Sequence, residues 1–179
     1  MDVRSLAAAV LRRGAGRLLG TRRWTDARVA EIATDFGGTV LEIGSGRQDL
    51  GAETYSVRRF FDPTVEFVQS DVNPAFGHRV VDVTAMDLDA EFDLVICLYV
   101  LEHVYDVPAA VANLHRALRP GGRLLVAVPH VYPYHDEPGD FWRFTEHAIR
   151  RLFEEFTDVE IHHRGVRRLP KGLYVIATR

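Results

Sequence analysis

One stretch constrains this chain more than any other: Leu41-Glu42-Ile43-Gly44-Ser45-Gly46. The run at 39–43 is short, apolar and β-branched, which predicts a strand. It stops in two glycines one residue apart. Glycine supplies dihedrals that other residues avoid and lets another group approach the backbone closely. A strand ending in such a turn is the opening of an α/β unit, in which further strands alternate with helices.

The downstream pattern agrees. Residues 65–69, 79–83, 92–98 and 123–128 read as strands, the last two strongly apolar. Strands of that kind suit a parallel sheet covered on both faces. A helix is predicted over 107–118, with Asp106 as N-cap, Pro108 in its first turn and Pro120-Gly121-Gly122 as its stop. Another is predicted over 145–156, capped by Thr145. Two final strands, 159–162 and 173–178, are joined by about ten residues holding Gly165, Pro170 and Gly172. So short a link favours an antiparallel pair. Ahead of the first strand, 1–36 reads as a helical cap: one helix carrying Leu6, Val10 and Leu11, weakened at Gly14, Gly16 and Gly20, then a second from Thr25 or Asp26 to Phe36. The fold class is α/β, Rossmann-like, in one domain of 179 residues, with 1–36 as cap and 37–179 as core.

Charge decides which partners to expect. The net charge is −3, with 26% charged residues, so nothing draws the chain toward nucleic acid. The single cysteine, Cys97, lies in an apolar run and reads as core. No stretch approaches a membrane span, and Arg12, Arg13 and Arg17 interrupt any signal-peptide core. A cytoplasmic location is expected.

The same reasoning applies to the cofactor. A dinucleotide brings a pyrophosphate to the glycine turn and wants a third glycine, where this chain has Gly44-Ser45-Gly46-Arg47-Gln48-Asp49. Glu42 and Asp49 would repel a pyrophosphate. They suit S-adenosylmethionine, which has no phosphate and carries an ammonium and a sulfonium. Asp71, past the second strand, is spaced to bind ribose hydroxyls. Asp82 is placed for an adenine amino group, with Val83 against the ring.

These residues together resemble class I S-adenosylmethionine-dependent methyltransferases. The resemblance rests on Val40 to Gly46, Asp71, Val81-Asp82-Val83-Thr84, Phe92-Asp93-Leu94-Val95-Ile96, Leu101-Glu102-His103-Val104 and Leu118-Arg119-Pro120-Gly121-Gly122-Arg123-Leu124. It covers about 39–156. It implies a mostly parallel seven-stranded sheet with a reversed last strand and helices on both faces. It also implies a cofactor shell of Glu42, Gly44, Ser45, Gly46, Gln48, Asp71, Val72, Asp82, Val83 and Tyr99. Gln48 departs from the family's usual third glycine, and 49–64 departs from its usual long helix.

The acceptor side is read from the segment Pro129 to Phe144. Its five aromatics, two histidines and three prolines are too apolar for a mere connector; such loops close over something. It resembles the Pro-Gly-Asp-Phe-Trp-Arg-Phe-Thr block of a bacterial methyltransferase subgroup, many of whose members serve glycan or secondary-metabolite pathways. His135, His103 and His130 are the candidate bases. Tyr132, Tyr134, Trp142 and Arg143 are the candidate substrate contacts, and Asp140 is expected to pair with Arg143. The spacing of His130, His135, Asp136 and Glu137 matches no closed metal site, so no metal is expected. His162-His163 reads as a strand end.

The expected function is methyl transfer to a small molecule, to oxygen before nitrogen, with a second copy of the chain as the candidate partner. The Asp/Asn-Pro-Pro-Tyr motif of enzymes that methylate nucleic-acid amines is absent. Two rival readings keep every cofactor residue: a non-catalytic S-adenosylmethionine-binding module, and a relative catalysing another reaction such as cyclisation.

Overall fold

Seven strands form one sheet in the order β3-β2-β1-β4-β5-β7-β6. They are β1 (Thr39–Ile43), β2 (Glu66–Asp71), β3 (Arg79–Val80), β4 (Phe92–Leu98), β5 (Leu118–Pro129), β6 (Asp158–Val166) and β7 (Leu169–Thr178). The computed structural model describes residues 21–47, 55–135 and 139–179. The helix expected before Gly20, Gln48 with the start of the divergent 49–64 stretch, and Asp136 and Glu137 lie outside the described residues. The first five strands are parallel to one another, and β7 runs antiparallel to both β5 and β6. This is the expected Rossmann-like sheet with one reversed strand at its far end.

Alternation along each strand sorts side chains onto two faces. On one face Leu41, Val95, Cys97, Leu124, Val126 and Val175 join a core with Leu114 and Ile149. These last two come from helices α2 (Val107–Ala117) and α3 (Glu146–Leu152). On the other face Val40, Leu94, Ile96, Leu125 and Tyr174 meet Val29 and Ala33 of α1 (Thr21–Ala33). Trp24 of α1 stands edge-on to Tyr174, with ring centroids 5.9 Å apart. Burying each such aliphatic side chain stabilises by about 1.5–3 kcal/mol, which fixes the sheet between its helices. Among the described residues no helix is long and apolar enough to cross a membrane.

The predicted caps are present. Asp106 Oδ1 accepts from Ala109 N at 3.1 Å and Thr145 Oγ1 from Ala148 N at 3.2 Å. Several boundaries differ from expectation: the helix expected to reach 156 stops at Leu152, and β5 begins at Leu118 rather than 123. The α1 helix already includes Thr21, ahead of the expected Thr25 or Asp26, and stops at Ala33, before the expected Phe36. The third strand is only two residues long, and Asp82 lies beyond it in a turn, its Oδ1 accepting from Thr84 N and Thr84 Oγ1. The final pair is a tight hairpin rather than two short strands on a ten-residue link. Pairing continues through Gly165 and Gly172 to Val166↔Leu169.

Candidate functional site

In an open α/β sheet, ligands bind beyond the carboxyl ends of the strands. That edge is built by the ends of β1, β2, β4 and β5. At the end of β1 both glycines are left-handed, Gly44 at φ +74° and Gly46 at φ +69°. A Cβ on Gly44 would lie 2.5 Å from Val100 Cγ2. Ser45 N donates to the Ser70 carbonyl at 2.9 Å, and Gly46 N to Asp71 Oδ2 at 3.0 Å. Asp71 Oδ1 accepts from Asn73 N at 2.9 Å. The ends of β1 and β2 are thus tied into one ledge, and His78 Nε2 meets the Gly46 carbonyl at 2.8 Å on its flank.

Glu42 holds this ledge from beneath. It is 3% exposed. Its Oε2 accepts from Ser45 Oγ at 2.7 Å and from Ser56 Oγ at 2.6 Å, and its Oε1 from Val57 N at 2.7 Å. Both carboxylate oxygens of this expected cofactor-shell residue are thus engaged within the protein. Glu42 shapes the turn and anchors the segment returning at Ser56, while Asp71 stands nearer the surface. Of the expected adenine-side pair, Val83 is buried in the core with Met86 and Leu88, and Asp82 is exposed in its turn. Val72 is exposed beside Asp71.

Tyr99, the residue after β4, is one of two non-glycine residues with positive φ among those described, at +57°. Its N–H donates to the Ala127 carbonyl at 2.8 Å. Burial pushes its hydroxyl up to about 12, against a hydrogen bond with Thr25 of α1. A strained residue held this firmly at a strand exit is a mark of a working site. Here it also fastens α1 to the carboxyl edge.

Beyond Tyr99 comes a single turn, Leu101–His103, and the segment leaving β5 folds back onto it. Phe141 N and Trp142 N both donate to the Glu102 carbonyl, Trp142 Nε1 to the Val104 carbonyl at 2.9 Å, and His103 Nδ1 meets the Gly139 carbonyl. The expected Asp140–Arg143 pair is present and bidentate, at 2.5 and 2.6 Å, and Arg143 also grips the Tyr132 and Pro133 carbonyls. Asp140 is 1% exposed on its side chain. The segment is a strap held by one guanidinium.

The strap sets His135 against His103 with ring centroids 4.8 Å apart, and Tyr132 against His135 at 5.2 Å. Burial holds the His135 imidazole below its ordinary value, and nearby Asp140 only partly offsets this. It is therefore neutral at pH 7. Glu102, buried beneath the pair, is pushed up to about 8 by desolvation. Burial also raises the Tyr132 hydroxyl, and Tyr55, whose ring packs on Gly46, adds to that shift. The strap and the glycine ledge thus share one electrostatic neighbourhood. His130 does not join the pair. Its Nδ1 meets the Phe144 carbonyl at 2.7 Å, and it lines a separate groove of about 270 Å³ with Glu146, His163 and Arg167. Trp142, half-exposed, forms a ring cluster with Tyr105 and Phe141, and Tyr134 is exposed. Sequence reasoning missed Ser56, Thr25 and Glu102. Of these only Glu102 carried a signal, an acid at the centre of Leu101-Glu102-His103-Val104.

The Asp140–Arg143 pair carries a pH prediction. The hydrogen bond from Arg143 chiefly holds the Asp140 carboxyl well below the usual carboxylate range. Its stabilisation is complete above about pH 4 and is lost as pH falls through the lowered folded value. Asp140→Asn is expected to remove about 1–3 kcal/mol at pH 7 and to flatten the acid limb of a urea-unfolding pH series. An unchanged acid limb would contradict this.

The sheet order, the glycine ledge and the strap over the strand exits define a nucleoside-cofactor domain of the Rossmann-like class. The chain belongs to the methyltransferase-domain family, whose model matches residues 17–163. It is similar to the ubiquinone biosynthesis O-methyltransferase of Pseudomonas paraeruginosa, with 28% identity over 120 residues, 58% of this chain and 48% of that protein. It is 30% identical over 123 residues to the ubiquinone/menaquinone biosynthesis C-methyltransferase UbiE of Hahella chejuensis, covering 59% of this chain and 48% of that protein. The chain thus spans about half the length of the curated relatives it matches. Among solved structures, the Burkholderia thailandensis 1,6-didemethyltoxoflavin-N1-methyltransferase, with 1,6-didemethyltoxoflavin and S-adenosylhomocysteine bound, shares the fold. Its TM-score is 0.63 at 21% identity, covering all of this chain and 91% of that one.

Proposed function

We propose that this domain is an S-adenosylmethionine-dependent methyltransferase acting on a small-molecule acceptor of the glycan or secondary-metabolite type, with oxygen ahead of nitrogen as the acceptor atom. The observation that carries this reading is the neutral, half-buried His135 beside His103 at the sheet's carboxyl edge. The sulfonium supplies an already activated methyl group, so the protein need only position the acceptor, exclude water and remove a proton from a hydroxyl.

In this reading Gly44, Ser45 and Gly46 cradle the cofactor, Asp71 and Val72 take its ribose side, and Tyr99 borders the methyl group. Asp71 retains acceptor capacity beyond its two backbone bonds. Its ledge holds no pyrophosphate-binding third glycine, which supports a phosphate-free cofactor. The acceptor lies under the strap, against Tyr132, and its proton leaves at the His103–His135 pair. In the protein alone, the His135 imidazole is the group able to take it. Tyr134 and Trp142 form the outer wall, and Arg143 keeps the wall in place. The cytoplasm is the compartment we assign.

The curated relatives are named for transfer to oxygen and to carbon, and the solved Burkholderia enzyme for transfer to nitrogen. The oxygen preference therefore rests on the histidines alone. Incubation with methyl-labelled S-adenosylmethionine and a panel of hydroxyl and amine acceptors is expected to move label onto a hydroxyl compound. Tight cofactor binding with no transfer to any acceptor would contradict the reading.

A further inference from the structure

Glu102 and His103 leave β4 together, and His135 arrives from β5 on the strap. One ligand-capable atom from each lies within 4.8 Å of the other two. Glu102 is 1% exposed, and its Oε2 is buried and accepts no hydrogen bond. An unpaired buried carboxyl oxygen is costly unless a proton or a metal cation meets it. The His103 imidazole is oriented from behind: its Nδ1 meets the Gly139 carbonyl, which favours the proton there and leaves the Nε2 lone pair free. Metal-ligating histidines are held in this way. His135 Nδ1 is buried without a hydrogen bond, 3.2 Å from Asp140 Oδ2.

We propose that Glu102, His103 and His135 bind one divalent transition-metal ion. Two imidazoles and one carboxylate suit zinc, iron or nickel, and suit the oxygen-seeking calcium and magnesium poorly. Donors surrounding an ion at about 2.0–2.2 Å stand roughly 3–3.5 Å apart, so atoms now within 4.8 Å close by up to about 1.3–1.8 Å on binding. The spacing within 130–137 gave no hint of this site, because two of its donors come from a different strand exit.

Three protein ligands leave a position for the acceptor oxygen. This use of the ion rests on the methyltransferase reading; the binding itself does not. Coordination lowers the hydroxyl's pKa. The O–H proton passes to solvent, and an oxygen lone pair forms the new bond to the methyl carbon. The carbon–sulfur bond breaks with its electron pair going to sulfur. With the ion present, the imidazoles are ligands and the metal does the work of the base.

The test is a Co²⁺ titration of the full chain, stripped with chelator and followed by visible d–d absorption, with Zn²⁺ as competitor. One ion per chain is expected. Glu102→Gln and His135→Ala should each weaken binding by more than the roughly 10–100-fold of an outer-shell change, while His162→Ala on β6 keeps the original affinity. Thermal midpoints of the stripped variants check folding, and Glu102→Gln, which replaces a buried, unpaired carboxyl by an amide of the same shape, should not lower its midpoint. No stoichiometric ion, or binding that survives in both variants, overturns the site. A bound ion without methyl transfer would count against the proposed reaction and not against the site.

Discussion

Glu42→Ala is expected to destabilise the domain by about 3–5 kcal/mol and to weaken cofactor binding by at least tenfold. The carboxylate is the shared acceptor for two hydroxyls and one backbone N–H, at 2.6–2.7 Å, in a region closed to water. Hydrogen bonds to a charged acceptor contribute about 1.5–3 kcal/mol each, and a buried donor left unpaired costs about 1–3 kcal/mol. Ser56 retains other contacts, from Gln69 Nε2 and Arg58 N, so the losses do not simply add. Val57 N has no such alternative. Against a total stability of roughly 5–15 kcal/mol the loss is large. It also releases Ser45 and hence the ledge. Glu42→Gln keeps the volume and one acceptor oxygen, and is expected to lose about half as much. Urea unfolding alongside titration with S-adenosylhomocysteine reads both effects. A fully stable Glu42→Ala variant with unchanged affinity would show that the carboxylate does not shape the turn.

His135→Ala carries the second large effect. If the acceptor proton leaves at the His103–His135 pair, kcat should fall by about 10²–10⁴-fold while cofactor affinity stays near its starting value. The reason is geometric. His135 sits on the strap, whereas the glycine ledge is held by Glu42, Ser70 and Asp71. The strap itself survives the substitution, since Asp140 still pairs with Arg143 and the bond it receives from residue 135 comes from the backbone N–H. A KM change without a kcat change would reduce His135 to an acceptor contact. Unaltered turnover would remove it from the chemistry and leave His103 as the nearest candidate.

What the sequence made legible tracks how local the cause is. Strand β4 is readable because seven consecutive apolar-rich residues buried on both faces have few other places to go. The glycine turn is readable because its dihedrals demand glycine. Strand β3 looks longer in the sequence than it is: Val81 and Val83 alternate like a strand but pack into the core, while only Arg79 and Val80 pair with β2. The terminal hairpin looks shorter than it is because Gly165, Pro170 and Gly172 resemble breakers. Gly165 instead takes φ +94° where the register shifts, and a Cβ on Gly172 would lie 2.9 Å from the Val128 carbonyl. Glycine lets β7 run close against β5. At the site, the residue types were legible and their company was not. That Glu42 turns inward to Ser56, that His130 faces another groove, and that Glu102 lies with His103 and His135 all depend on which loops meet at the sheet edge. No spacing encodes that.

The proposed function requires that this ledge take a phosphate-free, cationic nucleoside cofactor. Calorimetric titration of the full chain with S-adenosylmethionine, S-adenosylhomocysteine and NAD decides whether it does. One site per chain for the first two, with no measurable heat from NAD, is the predicted result; preferential binding of NAD would contradict it.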